Sequence, residues 1–174
     1  MHTTSIHGKM KDFEIITTKN QHIRVYISGF PESSSIDDFT RFMKDKDIDN
    51  IFCFCEPCDI LKKRLESEKK SYHHIPYDDG NAPSSDILNQ FDKIFDRILN
   101  NKTHTVINMH CYSGLGRAPT MLAYLMITRC GLSEHNSIKL IRSKISGAIN
   151  AKQISWIIMD AKLNKSNKST CIVM

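Results

Sequence analysis

At 174 residues, with 25% charged and 40% hydrophobic side chains, the chain has the length and composition of one globular domain that can bury a core. Its net charge of +5 is a modest bias. Anionic lipid and phosphorylated substrates stay open, while the lack of an aromatic–basic stripe argues against nucleic acid as a partner. No apolar run reaches the roughly 18 residues of a membrane span, and the opening "MHTTSIHGKMKDF" has no apolar signal core. The expectation is an intracellular protein whose cysteines (Cys53, Cys55, Cys58, Cys111, Cys130, Cys171) are thiols rather than structural disulfides.

In chain order, "FEIIT" (13–17) and "IRVYISGF" (23–30) read as strands about a polar turn. Serines cap a helix over 33–47, where Ile36, Phe39 and Phe42/Met43 recur at helical spacing. A short buried strand is expected at 48–55, a charged helix at 58–70 and a strand at 71–77. Ile87, Phe91, Ile94/Phe95 and Ile98/Leu99 share one face of a long helix over 84–100. "TVINM" (105–109) suits a central parallel strand, and helical patterns follow at 117–130, 133–145 and 151–163. Strands alternating with helices indicate an α/β sandwich about a mostly parallel sheet, one domain over 1–163, with a Lys-bearing tail over 164–174 expected to be mobile.

The stretch that carries chemistry is "TVINMHCYSGLGRAPTMLAYLMI". A strand runs into a tight loop and out into a helix, so backbone N–H groups and the helix dipole converge on one hollow beyond the strand's end. Gly114 and Gly116 allow the close wrap. Thiols at helix N-termini ionise readily, which marks Cys111 as a nucleophile. Arg117, a planar fork of donors, would grip the phosphoryl oxygens in the transition state. The loop between them (Tyr112, Ser113, Gly114, Leu115, Gly116) would cradle the phosphate, and no Gly-Lys-Ser/Thr follows as a nucleotide-binding loop would require. "HIPYDDGNAP" (74–83) offers Asp78 and Asp79 on a loop stiffened by Pro76 and Pro83 and hinged at Gly80, suited to a general acid on a lid.

Here the sequence resembles the cysteine-dependent phosphatases with a His-Cys-x5-Arg signature. More narrowly it is similar to the phosphatases of regenerating liver, the prenylated type IVA (PRL) group. "HCYSGLGRAP", "PYDDG", "GAINAKQ" (147–153) and the final "CIVM" carry the likeness. The resemblance implies a dual-specificity-like fold with a shallow site, no cofactor, and Asp79 as the general acid. It also implies a slow second step, because Ala118 stands where the wider superfamily has a Ser or Thr hydroxyl that steadies the departing thiolate. It implies a reversible disulfide between Cys55 and Cys111, while the residues themselves also allow Cys55 as core, or Cys53, Cys55 and Cys58 as metal ligands. A zinc site would need a fourth ligand, and no second C-x2-C pair follows, so no metal is expected. Gln153 would orient water or cap a helix. Ile145 and Ser146 replace the family's basic pair, and Lys162, Lys165 and Lys168 form a sparser basic stripe than its tail.

Cys171-Ile172-Val173-Met174 is a C-a-a-X box with Met last, which favours farnesylation of Cys171 by a prenyltransferase. One prenyl chain anchors weakly, and the tail lysines would add attraction to an anionic leaflet. The expected location is the cytoplasmic face of the plasma membrane or endosomes, and the cytoplasm when unprenylated. Substrates would be phosphotyrosine, phosphoserine/threonine or a phosphoinositide. The absence of a Lys-Asn-Arg-Tyr run argues against a deep tyrosine-only pocket. The competing function is a binding module for a cyclin M-type magnesium transporter, switched off by phosphocysteine formation or oxidation. A homo-oligomer is left open.

Overall fold

The computed structural model describes residues 10–100 and 102–161. It opens on a hairpin in which β1 (Lys11–Ile16) pairs antiparallel with β2 (His22–Ser28). Next come α1 (Ile36–Asp45), preceded by a 3-10 turn over Ser33–Ser35, then β3 (Asn50–Cys53), α2 (Asp59–Ser67) and β4 (Ser71–His74). The second half is α3 (Ser85–Leu99), β5 (His104–His110), α4 (Arg117–Cys130), α5 (Glu134–Lys144) and α6 (Ala151–Met159). Every element expected from the sequence is present. The 151–163 helix stops at Met159, and Asp160 and Ala161 turn away from it. The basic tail and the C-a-a-X box lie outside the described residues.

The sheet order is β1-β2-β5-β3-β4, with all pairs but the first parallel, which agrees with the expected α/β sandwich. Side chains alternate across it as strand geometry requires. Ile107 and Met109 face a core shared with Phe91, Phe95, Met121 and Leu122, so α3 and α4 cover that face. Tyr26 and Ile51 face the other layer, packed with Phe39 and Met43 of α1 and Leu61 and Leu65 of α2. In α4 every residue from Arg117 to Ile127 is buried, so it is the central helix and has no polar face. Its Tyr124 hydroxyl donates to Asp92 Oδ2 (2.7 Å), and Arg129 Nη2 reaches Asp92 Oδ1 (3.0 Å) and Asp96 Oδ1 (2.7 Å), which fixes α3 along it. Gly131 ends α4 in the left-handed conformation (φ 73°), which glycine adopts without a steric penalty.

This topology decides where a site can lie. Because β2, β5, β3 and β4 are parallel, the loops that leave their C-terminal ends all emerge on one rim.

Candidate active site

Cys111 follows the last residue of β5 and is buried beneath the loop that leads into α4. Two neighbours shape that loop. On one side Phe30 N donates to Tyr112 O (3.0 Å), and on the other Ile149 N donates to Leu115 O (2.8 Å). Gly114 takes φ +75°, and a Cβ there would stand 2.8 Å from both the Gly29 nitrogen and the Ser28 carbonyl carbon. Only glycine lets the loop pass this close to the end of β2. The hollow opens on the N-terminus of α4, where the helix dipole favours an anion.

Arg117, in the first turn of α4, is buried, and the loop that follows β4 supplies what holds it. Its Nη1 donates to Tyr77 O (3.1 Å), the Tyr77 hydroxyl donates to Arg117 O (2.8 Å), and Nε lies 3.2 Å from Asp79 Oδ1. Burial, with Cys111 close by, pushes the Tyr77 phenol well above its usual range, so it stays a donor. Of the two acidic candidates, Asp79 is the one brought to Arg117. Asp78 is tied into its own turn by Asn81 Nδ2 (3.3 Å).

The loop carrying Asp79 is fastened to the N-terminus of α6. Asn150 Nδ2 donates to Gly80 O (3.0 Å), Gln153 Nε2 to Asn81 O (3.1 Å) and Lys152 Nζ to Asn81 Oδ1 (2.6 Å). Gln153 also completes a capping box: its Oε1 accepts from Asn150 N (3.1 Å) while its own N–H donates to Asn150 Oδ1 (2.9 Å). Its amide packs against Gly116, where an added Cβ would stand 3.3 Å from Nε2.

Cys55 is buried just past the end of β3. Its sulfur lies 3.7 Å from that of Cys53, and Cys111 and Arg117 both act on it electrostatically. The hydrogen bond between the two thiols pushes Cys55 above the ordinary thiol range and, aided by His110, holds Cys53 below it. Cys58 is only half-buried.

Several residues that hold the site were not singled out from the sequence: Tyr77, Asn81, Asn150, Arg142 and Ile149. Arg142 Nε and Nη2 donate to Ala148 O (2.9 Å) and Ile149 O (2.8 Å), steadying Ile149 at φ +62°, a conformation that a β-branched residue rarely adopts. Asn150 before Gln153 is a capping-box pattern, the one signal that was available. Ile145, where the resemblance would put a basic residue, is buried in the core, and Lys144 and Lys11 supply positive charge to the cleft beside the loop. Beside the loop lies an open cleft of about 1010 Å³, bounded by Tyr112, Leu115, Phe30, Lys11 and Lys144.

A buried thiol beneath an anion-binding loop, a fixed guanidinium and a carboxyl across from it is an arrangement able to transfer a phosphoryl group to sulfur. Known proteins agree with it. A family model described as "Tc-R-P: Polymorphic toxin system, DSP-PTPase phosphatase" matches residues 26–131, from β2 to the end of α4. The chain is 30% identical over 146 residues to a type IVA B protein tyrosine phosphatase of Dictyostelium discoideum, covering 83% of this chain and 85% of that one. It is 27% identical over 139 residues to protein tyrosine phosphatase type IVA 2 of Mus musculus, covering 79% and 81%. In fold it is similar to a protein tyrosine phosphatase from Leishmania major, with a TM-score of 0.72 over 86% of this chain and 97% of that one at 23% identity. Geometry and sequence thus converge, and the chain belongs to the type IVA (PRL) family of protein tyrosine phosphatases.

Proposed function

We propose that this phosphatase hydrolyses phosphate monoesters through a phosphocysteine at Cys111, slowly, while tethered to membrane through Cys171. The observation that carries the catalytic part is the Arg117 guanidinium, held by Tyr77 and Asp79 beside the buried Cys111. The Cys111 sulfur attacks phosphorus as the ester P–O bond breaks, and Asp79 gives its proton to the leaving oxygen. Arg117 and the loop from Tyr112 to Gly116 hold the phosphoryl oxygens. An entering phosphate dianion competes with Asp79 for Arg117, which frees the carboxyl to face the leaving group. Water then attacks phosphorus, Asp79 takes its proton, the P–S bond breaks and inorganic phosphate leaves. Gln153, packed against Gly116, would orient that water by giving up one of its bonds to Asn150 or Asn81.

The second step is the slow one. Ala118 is buried and offers no hydroxyl to the departing sulfur, and Thr120, the next hydroxyl along α4, donates to Gly116 O (2.9 Å). The open cleft beside the loop suits a phosphorylated protein segment or a phosphoinositide headgroup better than a deep tyrosine slot does. Cys55 and Cys111 are both buried just past the ends of the neighbouring strands β3 and β5, which supports the reading that oxidation joins the two.

A second reading, a binding module for a cyclin M-type transporter, is favoured by Tyr112 and Leu115, large apolar side chains 73% and 44% exposed on the rim of the phosphate loop. Rapid mixing of reduced protein with a chromogenic aryl phosphate separates the two. A burst near one equivalent followed by slow turnover is expected for the enzyme. No burst and no turnover would leave only the binding module.

A further inference from the structure

Apart from the phosphate loop, the structure gathers a second group of soft donor atoms. β3 and β5 are parallel neighbours, and their register sets Cys53 beside His110 at the C-terminal end of the sheet. Cys55, two residues past Cys53, turns back so that its sulfur lies 3.7 Å from that of Cys53. The ligating atoms of Cys53, Cys55 and His110 all fall within 4.8 Å of one another. All three residues are buried, and the His110 ring is 0% exposed. Neither nitrogen of that ring meets a nitrogen or oxygen partner among the described residues, and the polar group it acts on is the Cys53 thiol. A buried imidazole so weakly satisfied is costly. The Tyr72 hydroxyl, also buried and without a partner of good geometry, borders Cys53.

We propose that Cys53, Cys55 and His110 form a binding site for a thiophilic metal ion of the zinc class. Two thiolates on a tetrahedral zinc, each bonded at about 2.3 Å, stand about 3.8 Å apart. The sulfurs already have that separation, which is far beyond a disulfide bond. One imidazole nitrogen supplies the third ligand. Tyr72 is placed to complete the set as an oxygen donor or to hydrogen-bond the Cys53 sulfur from outside it. The sequence alone offered Cys53, Cys55 and Cys58 with no further ligand in view, whereas the fold supplies His110 from another strand. Because the site is closed to solvent, the ion enters as the chain folds. Once bound it joins the end of β3 to the end of β5 and holds Cys55 as a ligand, so the disulfide proposed between Cys55 and Cys111 forms only after the ion leaves. None of this depends on the phosphatase mechanism, and the test reads metal rather than activity.

The full chain is produced in zinc-supplemented medium, purified in reductant without chelator, and its metal content measured. Wild type and Cys111→Ser are expected to carry about one zinc each, and Cys53→Ser, with an intact thermal transition, to carry none. Cobalt exchanged into the wild type should show a thiolate-to-metal charge-transfer band. Metal-free wild type, zinc retained by Cys53→Ser, or zinc lost from Cys111→Ser, which would put the ion on the active-site thiol, each overturns the proposal. Should Cys53→Ser fail to fold, the cobalt spectrum of the wild type decides, and absence of the thiolate band sinks it.

Discussion

Ala118 and Gly114 show how much a single side chain decides in this loop. A charge-assisted hydrogen bond to the leaving thiolate is worth about 1.5–3 kcal/mol, so Ala118→Ser should raise steady turnover by about ten- to a hundredfold while leaving the burst unchanged. Unchanged turnover would show that the missing hydroxyl is not the cause of the slow step. Gly114→Ala carries two penalties, a left-handed φ of 75° and a Cβ 2.8 Å from the backbone at Ser28 and Gly29. The strain is about 1–3 kcal/mol, and the burst should disappear even where the protein still folds, because the loop must lift from β2. A normal burst in a folded Gly114→Ala protein would mean that the loop tolerates the shift. At this scale Cys111 and Arg117 stood out by type and spacing on a strand–loop–helix, whereas the residues alone left Asp78 and Asp79 both open, and the family likeness pointed to Asp79, the one that lies beside Arg117. The pairing of Cys53 with His110 was not, because it depends on the register of two strands distant in sequence.

Among the elements, α6 has an unexpected role. The sequence marks it as a helical pattern over 151–163 whose Gln153 would orient water or cap the helix. The structure makes its N-terminus the dock for the acid loop. Asn150 serves both parts, capping Gln153 N and holding Gly80 O. Asn150→Ala should cost about 1 kcal/mol of stability through the lost cap. It should also slow the burst more for an alkyl or phenyl phosphate, whose leaving oxygen needs a proton, than for a nitrophenyl ester. An equal slowing for both substrates would indicate that the dock does not position Asp79. Helix and strand positions were legible from periodicity and caps. The clamp formed by Arg142 and Ile149 was not, because no local preference favours a left-handed isoleucine, and only its tertiary partners hold it there.

For the molecule as a whole, the α/β order was visible from alternating strand and helix patterns. The antiparallel placement of β1 at the sheet edge follows from its short hairpin to β2, and the depth of α4 from its lack of a polar face. The proposed anchor belongs at this scale too. Cys171→Ser should move the protein from the membrane to the soluble fraction, with phosphatase chemistry intact. Retention at the membrane would refute prenylation as the tether.

The fastening of the acid loop to the start of α6 also sets a working radius. A nine-residue helix from Ala151 to Met159 is about 14 Å long, and the 12 residues 160–171 would span at most about 43 Å when fully extended. A lipid on Cys171 would therefore confine Asp79 and Cys111 to a shell on the order of 60 Å from the bilayer. Within that shell, phosphate groups on lipid headgroups and on the juxtamembrane segments of membrane proteins meet the enzyme at the high effective concentration of a short tether. An enzyme whose second step is slow would be saturated at that concentration, so the tether would decide which phosphate monoesters it meets rather than raise its steady rate.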